Sequence, residues 1–140
     1  MRKPVFATLL LFLCASGTGS ASPQIQGVEQ VSILQLIVTP ERYDGKRVQV
    51  EGFLHLEFEG NVLYLSENDY THHLHKNGLW VTRNSVINER FQKLNSRYVI
   101  VVGTFDAANK GHMSMNSGAL RDISAADTWP DTTKAKPVVR

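Results

Sequence analysis

The order of elements along the chain predicts a mainly β protein: a five- to six-stranded OB-fold-like Greek-key barrel, with a short N-terminal helix and one helix between the third and fourth strands. Three observations carry that expectation. The apolar period becomes two from Lys46 onward, a single helical stripe in RNSVINERFQKLN interrupts the strands, and Asp44-Gly45, Gly60-Asn61 and Asn109-Lys110-Gly111 supply turns where strands must end. No internal repeat or low-complexity tract argues for another architecture.

The elements follow in order. Ser32 and Gln35 have the S-x-x-Q spacing of a capping box, and the apolar run from Ile33 to Val38 stops at Thr39-Pro40, so a short buried helix precedes the sheet. After the Asp44-Gly45 turn, Val48, Val50, Gly52, Leu54, Leu56 and Phe58 share one strand face and are expected to point inward. Arg47, Gln49, Glu51, His55, Glu57 and Glu59 share the other, with Phe53 its only apolar member. Gly52, on the inward face of a strand long enough to bend, is the place for close backbone approach. Val62–Leu65 and Leu79–Val81 are the next two strands. Asn84 or Ser85 caps the helix whose stripe is Ile87, Phe91 and Leu94, ending near Asn95. Tyr98–Phe105 reads as a strand buried on both faces, Met113 and Met115 at period two as core residues, and Leu120 with Ile123 as a last short strand.

The N-terminus has Arg2 and Lys3, an apolar run from Val5 to Leu13, and small residues up to Ala21, which describes a secretory signal peptide over 1–21. The expected organisation is then a flexible linker over 22–30, one domain over 31–123 and a flexible tail over 124–140, with Trp129 as a docking residue. Cys14, the only cysteine, is preceded by Phe12-Leu13, a poor setting for a lipid anchor, and leaves with the signal. The expected exported chain, periplasmic or secreted, therefore has no thiol chemistry, no disulfide and no transmembrane segment. Loss of Arg2 and Lys3 takes the 15 basic residues to 13, equal to the 13 acidic ones. A neutral chain lacks the basic footprint of a nucleic-acid binder.

The segment PERYDGKRVQVEGFLHLEFEGNVLYL resembles the opening of small, mostly exported bacterial OB-fold-like proteins of unassigned function, which carry a P-E-x-Y-D-G-K-x-V-x-V-x-G stretch. The resemblance is specific over about residues 40–65 and covers roughly 31–123 in element order. It implies fold and class, and no catalytic motif comes with it.

Two surfaces invite function. Thr71-His72-His73-Leu74-His75-Lys76-Asn77-Gly78 holds three of the five histidines. On a helical turn His72 and His75 share a face, and on a strand His73 and His75 do. With His112, and with Met113 and Met115 adding thioethers, these residues offer donors for zinc or copper, the metal set being His72, His75 and His112. Lys76 opposes a cation there, and the expectation preferred is a solvated loop with no cofactor. His55, Glu57 and Glu59 form a second cluster of ionisable groups. The other surface is the face of the second and third strands, where OB barrels bind ligands, with Tyr64, Trp80 and Arg83 as stacking and polar groups. Ordinary packing of Tyr64 and Trp80 is the bland alternative. Segment 66–78 is the largest connection between strands. It serves either as a binding loop, with Tyr70, or as a short helix plugging the barrel with Tyr70 and Leu74 inward. No nucleophile elbow, phosphate loop or H-E-x-x-H motif is present. The expected function is a non-enzymatic exported binding module for another protein or an envelope component, of the inhibitor, immunity or accessory type. Its partner-binding residues are Tyr64, Tyr70, His72, His73, His75, Trp80 and Arg83. The alternative is a metal-binding protein, and an oligonucleotide or saccharide binder ranks below both.

Overall fold

The computed structural model describes residues 27–82 and 88–130. The expected signal peptide with Cys14, most of the expected linker, Arg83, the helix cap at Asn84 or Ser85, Ile87 and the end of the tail lie outside the described residues. Among the described residues no helix is long and apolar enough to cross a membrane.

The strands are β1 (Glu29–Gln30), β2 (Arg47–His55), β3 (Val62–Tyr64), β4 (Gly78–Val81), β5 (Arg97–Asp106) and β6 (Ala119–Thr128). β2 pairs antiparallel with β3 on one edge and with β5 on the other, β3 continues to β4, β4 pairs parallel with β6, and β6 closes on β5. That cycle of five strands is a closed, OB-fold-like barrel, and β1 is an extra strand lying parallel on β2. The helices are α1 (Ile33–Val38), α2 (Pro40–Tyr43), α3 (Glu67–Thr71) and α4 (Asn88–Leu94), the last between the third and fourth barrel strands as the sequence predicts.

Local chemistry explains where elements begin. The Ser32 hydroxyl accepts from the Gln35 amide at 3.2 Å and the Gln35 side chain accepts from the Ser32 amide at 2.9 Å, a complete capping box that lets α1 start at Ile33 and bury Ile33 and Leu36 in the core. Gly45, at φ 73, makes the turn into β2. Along β2, Val48, Val50, Gly52 and Leu54 face the core as the period requires, with Leu56 just beyond its end, and the valines and leucines meet Leu63, Leu79, Val99, Val101 and Phe105 there. α4 adds Phe91 and Leu94, and the Asn95 side chain accepts from the Leu56 amide at 2.8 Å where β2 ends.

Several expectations are corrected. Phe58 is 97% exposed, because β2 ends at His55 and the alternation no longer applies beyond it. β5 is buried on both faces only toward its end: Gly103, Thr104 and Phe105 are all buried, whereas before them Val99 and Val101 are buried, Ile100 and Val102 are half-buried, and Tyr98 is exposed. The sheet passes both expected domain limits, since Glu29–Gln30 pairs with β2 and β6 runs ten residues to Thr128, with the Trp129 amide donating to Tyr98 at 2.9 Å. The strand could extend that far because β5 offers a full-length edge, with a register irregularity between Val102 and Thr104 absorbing the barrel's curvature. Met113 and Met115 are not core residues, being 79% and 38% exposed in and after a 3₁₀ turn at His112–Ser114.

Gly52 is where β2 passes between partners. A Cβ there would lie 2.5 Å from the Tyr64 carbonyl oxygen, which cannot retreat without moving β3, and 2.8 Å from the Ile33 Cδ1 methyl, which would have to turn away within the core. Gly52→Ala is therefore expected to destabilise the barrel by about 2 kcal/mol or more, read as a lower urea midpoint.

Candidate functional site

The outer faces of β2, β3 and β4 carry a second, aromatic layer. Phe53, Val62 and Tyr64 are buried together there, with Tyr70 and Trp80 packed against them. Register aligns them: Phe53 opposes Tyr64, Val62 opposes Trp80, and Tyr64 opposes Gly78, where a Cβ would sit 3.2 Å from the Tyr64 ring and 2.6 Å from Val62. Phe53 was the lone apolar residue on the polar face of β2, and that exception is the sequence signal for this layer.

α3 lies over the layer. The Tyr70 ring stacks on His55 at 3.9 Å and on Phe53 at 5.9 Å, and Tyr98 meets Phe53 edge-on at 5.5 Å. Segment 66–78 is thus a short helix on the outside of the barrel. It does not plug the barrel, and Leu74 is 47% exposed. Its order comes from Asp69, which is buried. The Ser66 hydroxyl caps α3 by accepting from the Asp69 amide at 3.2 Å, Asn77 donates to the Asp69 carboxylate at 2.7 Å, and the Ser66 hydroxyl also donates to it. Burial pushes the Asp69 carboxyl up, but the hydrogen bonds from Asn77 and Ser66 and from the backbone outweigh it and hold the group below its ordinary range.

Between this helix and the barrel loops runs a groove of about 350 Å³. Val62, Tyr64 and Trp80 floor it, Glu57 to Gly60 from the β2–β3 loop form one wall, and His73 and His75 stand opposite. It continues past Trp80 to Asn109, Gly111 and His112 of the β5–β6 loop. Gly111, at φ 67, approaches so closely that a Cβ would lie 2.6 Å from the Trp80 indole. Burial raises the Tyr64 phenol above its ordinary value, with Glu57 and then Tyr70 adding to the shift, so its hydroxyl stays protonated. That hydroxyl is 2.9 Å from His75 Nδ1.

The sequence-predicted residues divide. Tyr64, Tyr70, His73, His75 and Trp80 meet in the groove. His72 instead turns back on its own helix, its Nδ1 2.9 Å from the Asn68 carbonyl. His112 stands 4.0 Å from Glu59, and His55 is 2.8 Å from Glu57. The expected donor set of His72, His75 and His112 is therefore not assembled. Among the described residues no three His, Cys, Asp or Glu side chains are placed to hold a metal ion together. Glu57, Phe58 and Glu59 join the groove although the strand pattern pointed Phe58 inward.

Comparison of the chain with protein-family models, with curated proteins and with solved structures finds no match.

The low position of the Asp69 carboxyl fixes a sign. Its contribution to stability is present above the unfolded-state value and is lost as pH falls through the folded one. Asp69→Ala is expected to destabilise the protein by about 1 kcal/mol or more at neutral pH. The gap to the parent chain should narrow in acid, as followed by thermal melts across a pH series.

Proposed function

We propose that the protein is an exported, non-enzymatic binding module, periplasmic or secreted, that holds another protein on the outer β3–β4 face. The observation that carries this reading is Phe58, almost wholly exposed on the β2–β3 loop at the edge of a groove floored by Tyr64 and Trp80. An aromatic exposed beside a preformed aromatic cleft offers an anchor of the kind that fills a pocket on a protein partner.

The charge around the groove supports a protein over a nucleic acid. Glu57 and Glu59 are exposed on its wall, while the nearby ammonium groups of Lys76 and Lys110 are engaged by backbone carbonyls, Lys76 by Ser114 and Asn116, Lys110 by Ser117. Phosphate would meet carboxylates there, whereas an apolar or basic side chain would find complementary surroundings. The resemblance over PERYDGKRVQVEG to exported OB-fold-like proteins fits the same assignment.

A photo-crosslinking residue placed at Phe58 in the exported chain is expected to trap one partner from envelope extract. Adding Trp80→Ala should abolish the adduct while leaving the circular dichroism of the barrel unchanged. An adduct pattern indifferent to Trp80, or none from position 58, would refute the surface. Glu57→Gln with Glu59→Gln should slow association and flatten its dependence on ionic strength, measured by stopped-flow once the partner is in hand.

A further inference from the structure

A second cavity, of about 530 Å³, lies beside the groove, between the loop after α3 and the β5–β6 loop. His73 and His75 line it from one side, Met113 and Met115 from the other. We propose that these two imidazoles and two thioethers form a binding site for copper(I). This proposal does not depend on the partner-binding reading, and it replaces the donor set that the sequence suggested.

The two loops are clamped together by Lys76, Asn116 and Ser117 on backbone carbonyls, and not by the donors. Lys76 Nζ donates to the Ser114 carbonyl at 3.0 Å and to that of Asn116 at 3.4 Å, and the Asn116 amide donates to the His75 carbonyl at 3.3 Å. The Ser117 hydroxyl donates to the Lys76 carbonyl at 2.7 Å, and its amide to the Gly78 carbonyl at 3.1 Å. The donor side chains are thereby brought to one cavity with no part in holding it together, which is the preorganisation a ligand site needs.

Backbone strain gathers at the same place. His73, Met113 and Ser114 adopt φ of 56, 51 and 58, in the left-handed region that non-glycine residues occupy at a cost. Met113 gains no burial in return, being 79% exposed. A thioether held in water by a strained turn has no packing role, and its remaining chemistry is that of a soft donor.

The imidazoles are suitably arranged. Their ring centroids are 6.0 Å apart. A metal bound at about 2 Å from nitrogen lies roughly 3 Å from each centroid, so rings sharing one ion stand about 5–6 Å apart. The Tyr64 hydroxyl lies 2.9 Å from His75 Nδ1 and orients the ring; in the tautomer that carries its proton on Nδ1, that N–H donates to the hydroxyl and Nε2 is left with the lone pair for the metal.

The donor chemistry selects the ion. Two neutral imidazoles and two thioethers supply no negative charge, and the Lys76 ammonium lines the cavity too, so a divalent ion is disfavoured. A soft monovalent ion meets less repulsion and prefers sulfur.

The test uses the full chain carrying Cys14→Ser, so that the single thiol does not compete. Copper(I) is titrated anaerobically against a chromogenic chelator, with zinc(II) in parallel. Silver(I) is then added to protein labelled at the methionine methyl groups and followed by NMR. One equivalent of copper(I) should be withheld from the chelator, no zinc(II) should be, and silver(I) should shift the Met113 and Met115 methyl signals but not that of Met1. Met113→Leu with Met115→Leu, both at exposed positions, should weaken copper(I) binding by about tenfold or more. His72→Ala should leave it unchanged. Copper(I) binding insensitive to the two leucines, unmoved methionine signals, or zinc(II) held as tightly as copper(I) would each overturn the proposal.

Discussion

Close approach at Gly52 is the constraint on which the rest of the molecule rests. β2 pairs with β5 over Arg47–Leu54 and with β3 only over Phe53–His55, so the strand must coil where its second partner arrives. With no side chain at 52, the Tyr64 carbonyl and the Ile33 methyl pack directly against the backbone, which fixes β3 to the bend and seats α1 over it. From there the consequences run outward. β3 held at that distance puts Tyr64 on the outer face, Tyr64 orients His75 and packs on Tyr70, and Tyr70 seats α3.

The barrel therefore has two apolar layers of different kinds. The inner one is aliphatic and follows strand period. The outer one is aromatic, covers only the β2–β4 side, and exists because α3 is short, capped by Ser66 and held in place by Asp69. A solvated outer face would leave the floor of the groove without a wall. Covering half of it creates a boundary, and both the groove and the adjoining cavity lie along that boundary.

Legibility in the sequence followed the range of the interactions. α1 was readable to the residue because its start is fixed by two hydrogen bonds within four positions, between Ser32 and Gln35. Strand order was readable because period and turn residues are local. Phe58, Met113 and Met115 were misplaced for one reason: each was assigned by extending an alternation past the point where hydrogen-bonded pairing ends. The histidine cluster was legible only as alternatives. Spacing offered His72 with His75 on a helical turn or His73 with His75 on a strand; α3 ends at Thr71 and His73 takes a left-handed conformation, so His73 and His75 reach the same groove and His72 turns onto the Asn68 carbonyl. Met113 and Met115 were open to the sequence as donors beside the histidines, but the contacts that place them there, such as Lys76 with Ser114 roughly forty positions away, are encoded by no local pattern.

This distance in sequence bears on how such a site can be maintained. A donor set built within one loop must satisfy the loop's own folding as well as its ligand. Here the clamp between the loops is made by Lys76, Asn116 and Ser117, whose partners are backbone carbonyls that substitution does not remove. The side chains at 73, 113 and 115 are exposed and contribute little to the core, so their identity is set by neither packing nor turn chemistry. Left-handed backbone at Met113 would be better served by glycine or asparagine. A flexible apolar side chain in that conformation and in water satisfies no folding requirement visible among the described residues, and the copper(I) proposal is what would give its sulfur a role.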